Sequence, residues 1–113
     1  MSKQTKEQLL CLRKSIAEVD EKIVGALAER MSISPEIASW KIRNRKSIVQ
    51  EETEKKCVAR MLRLGRKCGL SAEFVRAVSY LIIAESCRIQ IQIKDSQSKP
   101  LFLRRKNNIH RDP

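Results

Sequence analysis

Apolar residues recur every three or four positions from the start of the chain: Leu9, Leu12, Ile16, Val19, Ile23 and Leu27, then Ile33 and Ile37. That spacing predicts one amphipathic helix over about residues 5–43. At 1.5 Å per residue it would be roughly 58 Å long, more than a small single-chain domain is wide. One copy cannot cover such a stripe, so the pattern points to an intertwined or coiled dimer. Ser34-Pro35-Glu36 reads like a helix start, with a capping serine, a proline at the first position and an acid in the first turn. Because Ile33 and Ile37 keep the stripe in phase, a continuous helix kinked at Pro35 is favoured over a break, at a cost of about 3 kcal/mol.

A polar, basic link (Asn44, Arg45, Lys46, Ser47) leads to a second helix over about residues 49–68, and Gly69 suits the position just past its end. Ser71 then caps a third helix reaching about residue 93, with Phe74, Val75, Val78, Leu81, Ile82 and Ile89 as its expected buried face. Residues 95–113 are polar and basic and contain two prolines, so a loose tail is expected after a helical domain over residues 1–94. Leu101-Phe102-Leu103 is the candidate docking point within that tail. The expectation is thus an all-α fold of three helices per chain, one very long, forming an intertwined homodimeric helical bundle.

Composition supports this and removes alternatives. Only 3 Gly and 3 Pro occur in 113 residues, too few for the turns of an all-β sandwich or barrel. Aromatics at 4% disfavour an RNA binder built on aromatic platforms. No run of about 18 apolar residues is present to cross a membrane. The opening MSKQTKEQ has no apolar segment behind its charges, so no secretory signal and a cytoplasmic location are expected. Cys11, Cys57, Cys68 and Cys87 form no CxxC pair. On one helix Cys57 and Cys68 would lie about 16 Å apart, too far to bridge, so reduced thiols are expected. His110 is the single histidine, which argues against a histidine base and a Cys/His zinc site. No metal or cofactor is expected.

The net charge of +11 is concentrated. Residues 1–40 and 68–93 are each balanced, whereas residues 41–67 hold ten cations against Glu51, Glu52 and Glu54, and residues 94–113 hold six against two. Such a surface suits nucleic acid or a small anionic substrate equally well.

Polar residues that interrupt the stripes separate those options. On the first helix, the steps from Ile23 through Leu27 to Ile33 land on Arg30, and a guanidinium on a buried seam needs an anionic partner. Lys41 is eleven residues on, which at about 100° per residue returns to within about 20° of the same face. Arg13 is seventeen residues before Arg30, about 260° away, so it would serve such a site only from a partner chain. Gln50 and Glu54 form an i, i+4 pair on the inward stripe expected of the second helix, and Ser86 and Gln90 form another on the third. The bland alternative is a set of solvated helix ends plus a structural Arg30–Glu54 pair.

The stretch LLCLRKSIAEVDEKIVGALAER, followed by IASWK, ETEKK, GLSAEF and LIIAESCRIQ, resembles the all-helical (type II) chorismate mutases. The resemblance covers about residues 9–90. It implies an isomerase that converts chorismate to prephenate for phenylalanine and tyrosine biosynthesis, without a cofactor, as an intertwined dimer with two equivalent sites. By resemblance, Arg13 is the cation donated across the interface and Arg30 binds a substrate carboxylate. Lys41 contacts a carboxylate and the ether oxygen, and Gln90 donates to that same oxygen. Glu54 and Gln50 face the ring hydroxyl, and Ser86 contacts a carboxylate or organises the site. The sequence departs from the family pattern at Thr53, where arginine usually precedes the glutamate, and at Gln50, where aspartate is common.

The chemistry suits these residue types. A unimolecular [3,3] rearrangement needs a dianion held in its compact chair and negative charge stabilised on the ether oxygen, and no nucleophile. Two other readings stay open. The first keeps the fold and changes the substrate to isochorismate or 4-amino-4-deoxychorismate, on which relatives of the family act, although a neutral Gln50 suits a ring ammonium less well than a second carboxylate would. A basic helical protein that binds nucleic acid is the non-enzymatic reading; the interior spacing of Arg30 and Lys41 argues against it.

Overall fold

The computed structural model describes residues 3–98, which contain three α-helices: α1 (Lys3–Arg43), α2 (Glu51–Lys67) and α3 (Ala72–Ser98). No strand occurs among the described residues. The chain divides into two units, one ending at Arg30 and the other beginning at Met31.

The first unit is the N-terminal stretch of α1. It has no proline, and its only glycine is Gly25; Leu, Lys, Glu, Gln and Arg, which lose little side-chain freedom in a helix, dominate it. Every described residue up to Glu29 is exposed, including the whole stripe from Leu9 to Leu27.

The second unit holds the core. α1 runs through Pro35 without restarting at Ser34, as the in-phase stripe predicts. The face it buries differs from that expectation. Ile33 and Ile37 are exposed, whereas Ser34 and Ala38, one step round the helix, are buried. Their small side chains permit close approach, and Ser34 bonds to α3 there.

Both chain reversals close the preceding helix in the same way. After α1, Arg45 N–H bonds to Ile42 O at 3.2 Å and Lys46 N–H to Lys41 O at 2.8 Å, with Arg45 in the left-handed region at φ 55°. After α2, Gly69 N–H bonds to Arg66 O and Leu70 N–H to Gly65 O, with Gly69 at φ 76°, so the sequence expectation for Gly69 holds. Ser71 caps α3 as expected, its Oγ accepting from Phe74 N–H at 3.1 Å.

α2 and α3 pack through Cys57, Val58 and Ile83, with Met61, Leu62 and Cys87 against them. On α3 the buried positions are Val75, Ser79, Ile83 and Gln90. Of the face expected from the sequence, Val75 is buried and Val78, Ile82 and Ile89 are half-buried, but Phe74 and Leu81 are exposed. α3 is apolar on more than one side: it meets α2 through Val75 and Ile83 and the end of α1 through Ser86 and Gln90, while Phe74 and Leu81 stay exposed. The helix also reaches Ser98, so residues 95–98, expected in the tail, are helical. Leu101-Phe102-Leu103 and His110 lie outside the described residues.

Candidate functional site

The turn after α1 sets the first element of the site. Its left-handed Arg45 reverses the chain so that Ile48 is buried and its carbonyl accepts from Lys41 Nζ at 2.7 Å. Lys41 Nζ also donates to Gln90 Oε1 at 2.8 Å. Gln90 is only 4% exposed, and its Nε2 donates to Ser86 Oγ at 3.1 Å. Ser86 Oγ lies 2.6 Å from Ser34 Oγ. One hydrogen-bonded series therefore joins the end of α1, the loop before α2 and the middle of α3. An ammonium can only donate, so Lys41 fixes which end of the Gln90 amide faces it.

Glu54 is half-buried in the first turn of α2 and accepts from Cys87 Sγ at 3.8 Å. Burial pushes the Cys87 thiol up from its ordinary pKa, the Glu54 carboxylate adds to the rise, and Lys41 pulls the other way. Cys87 is therefore a neutral thiol beside a carboxylate. Cys11, Cys68 and Cys87 are free thiols.

Of the residues the sequence singles out, the structure joins Lys41, Ser86 and Gln90 by direct bonds and sets Glu54 against the residue that follows Ser86. Gln50 departs from expectation. It does not share a helix face with Glu54 but is the N-cap of α2, in extended backbone at φ −127° and ψ 93°. The helix begins at Glu51 because three acids, Glu51, Glu52 and Glu54, favour the positive end of its dipole. The Gln50 side chain caps nothing; its Oε1 is 3.5 Å from the exposed Thr53 Oγ1. Arg13 is exposed and Arg30 half-buried, both on the first unit.

Sequence reasoning missed Ser34, Ile48 and Cys87. Ser34 carries a signal in hindsight: with Ala38 and Lys41 it makes an i, i+4, i+7 row. Its place beside Pro35 made it look like a cap instead. Ile48 acts through its backbone, which no side-chain pattern reports.

Among the described residues, no group of acidic, cysteine or histidine side chains is arranged to hold a metal ion. No described helix is long and apolar enough to cross a membrane.

Residues 12–91 match the family model for type II chorismate mutase. The bifunctional chorismate mutase/prephenate dehydratase of Buchnera aphidicola from Acyrthosiphon pisum is 40% identical over 82 residues, 73% of this chain and 21% of that protein. Its counterpart from the Schizaphis graminum strain is 35% identical over 86 residues, 76% of this chain and 22% of that protein. The Escherichia coli K12 protein of the same name is 30% identical over 82 residues, again 73% and 21%. The chain thus spans about a fifth of the length of these curated relatives. With most of its length inside the family match, the chain belongs to the type II chorismate mutase family.

Proposed function

We propose that this chain is a chorismate mutase that converts chorismate to prephenate in aromatic amino acid biosynthesis, in the cytoplasm. The observation that carries the reading is the Lys41–Gln90 bond. An ammonium has three hydrogens and Lys41 uses two, on Ile48 O and Gln90 Oε1. The Gln90 amide has two and uses one, on Ser86. One N–H from each of two directly bonded side chains remains for a shared acceptor. An ether oxygen that gains negative charge as its C–O bond breaks is such an acceptor.

The remaining roles follow from charge. Arg30 clamps one carboxylate of the dianion, and Ser86 donates to a carboxylate. Glu54 accepts from the ring hydroxyl, and Gln50, as an amide, is able to do the same from the start of α2. The reaction is unimolecular, so holding the compact chair and stabilising the oxygen account for catalysis without a nucleophile or cofactor. The substrate-binding unit is a homodimer in this reading. The open stripe from Leu9 to Leu27 supports it, a second copy covering the stripe and lending Arg13 to the site. Of the relatives' double name, the mutase half corresponds to the family match.

The test is chorismate consumption by the purified protein, with the product identified as prephenate. Conversion at enzymatic rates is expected. A folded helical protein that leaves chorismate intact but consumes isochorismate or 4-amino-4-deoxychorismate overturns the substrate assignment, and inertness toward all three overturns the enzyme reading.

A further inference from the structure

Ser34 has no role in the scheme above, yet it is one of the most deeply buried polar residues, 1% exposed, and its Oγ lies 2.6 Å from Ser86 Oγ. The direction of the protons follows by elimination. Lys41 Nζ has only hydrogens to offer, so the Gln90 atom it meets is the carbonyl oxygen and Nε2 faces Ser86. Nε2 also only donates, so Ser86 Oγ accepts from it. If Ser86 in turn donated to Ser34, the buried Ser34 proton would need the carbonyl four residues back, a bond that Ser79 makes to Val75 O and Ser34 does not make, and an unmet hydroxyl is the costly outcome. Ser34 therefore donates. Ser86 Oγ then accepts twice, both its lone pairs are occupied, and its own proton points to neither neighbour.

We infer that Ser34 is a positioning residue: its buried hydroxyl fills the second acceptor site of Ser86 and so commits the Ser86 proton to an anionic oxygen of the substrate. Two bonds received also polarise the Ser86 hydroxyl, which makes it a better donor than a lone serine. The identity of the anion, a chorismate carboxylate, rests on the mutase reading; the proton direction does not.

A double-mutant cycle on Ser34→Ala and Ser86→Ala tests this. Alanine is a good helix former and smaller by one oxygen, so both variants are expected to fold, with circular dichroism as the check. Ser34→Ala should lower kcat/KM by about three- to tenfold, mainly through KM, because the carboxylate contact is present in both ground and transition states. In the Ser86→Ala background the same change should cost less than about 1.5-fold, because its effect passes through Ser86. Equal losses in the two backgrounds, or no loss in either, overturn the inference. Without substrate, the Gln90 side-chain amide resonances of 15N-labelled protein should shift in Ser34→Ala; unmoved resonances overturn it too. That second arm needs no turnover. If Ser34→Ala shows the shift but the wild-type protein leaves chorismate unchanged, the mutase reading fails and the Ser34–Ser86 geometry stands.

Discussion

The first unit, through Arg30, and the second, from Met31 onward, handle their surfaces in opposite ways. The first has six apolar residues in one continuous stripe, Leu9 to Leu27, and leaves all of them exposed. The second buries a mixed set in which Ser34, Ser79, Gln90 and Ala38 are among the least exposed, and among its described side chains no buried N or O lacks a partner. The stripe is unspecific and answers only to another apolar surface. The buried polar series is specific, because each member is useful in one orientation only. The bonded series through Lys41, Gln90, Ser86 and Ser34 lies in the second unit, whereas the first presents a long exposed apolar stripe.

Lys41→Ala is the sharpest way to break that comparison on the chemical side. It removes a donor to the proposed ether oxygen together with the partner that orients Gln90. The expected loss is about 100- to 1,000-fold in kcat, with helicity by circular dichroism unchanged. Activity within a few-fold of wild type would mean that the bonded series is structural.

Ile23→Asp breaks the other side. A carboxylate in the middle of the stripe would have to be buried unpaired in any assembly that covers it. Analytical ultracentrifugation should show the proposed dimer lost, and turnover should fall with it if Arg13 acts from the second copy, as proposed. Mixing Arg13→Ala with Lys41→Ala chains should restore about a quarter of wild-type activity: half of random dimers are hybrids, each with one intact site. A persistent Ile23→Asp dimer, or no recovery on mixing, would move the interface or Arg13 elsewhere.

These two regions were unequally legible in the sequence. Helix number, the Gly69 and Ser71 boundaries and the long first helix follow from period and capping chemistry, which are local. Lys41, Ser86 and Gln90 stand out as polar residues on apolar faces, and the structure bonds them to one another. Ser34 was not, because a small residue next to proline has an equally good local explanation as a cap. Gln50 falls just outside the helix because α2 starts at Glu51, two residues later than the inward pattern suggests. Phe74 and Leu81 were assigned to the core because periodicity reports that a side is apolar, without reporting which surface covers it.

A smaller effect sharpens the comparison through one thiol from each region. Cys11 is exposed and lies about 120° around α1 from the stripe, so it stays accessible even if the stripe is covered. Cys87 is half-buried, and both its burial and Glu54 raise its pKa, so at a given pH less of it is thiolate. With a neutral disulfide reagent near pH 8, Cys11 should react at least about tenfold faster than Cys87. The sign also fixes the pH profile. A thiol with a raised folded-state pKa contributes stability at neutral pH that is lost as pH climbs through that value, so any effect appears only on the alkaline side. A Cys87 that reacts as fast as Cys11 would contradict the closed environment around Glu54.

The smallest expected effect is the most diagnostic in sign, because one substitution is made twice. Gly25 lies inside α1 on the side away from the stripe, and a Cβ added there meets nothing within 4 Å. Gly25→Ala should therefore stabilise the protein by up to about 1 kcal/mol, the ordinary helix preference of alanine over glycine. Gly65 lies inside α2, where a Cβ would meet Val75 Cγ2 at 2.6 Å. Valine is stiff about χ1 and cannot swing away as a long side chain would. Overpacking costs about 1–3 kcal/mol, which offsets or exceeds the same helix gain, so Gly65→Ala should lower the unfolding free energy by about 1 kcal/mol. Chemical denaturation of the two variants at equal protein concentration gives both numbers. Opposite signs are what a closely packed α2–α3 contact and an open α1 face require. A stabilised Gly65→Ala would mean that α2 and α3 have room to separate, and a destabilised Gly25→Ala would mean that the side of α1 opposite the stripe is covered as well.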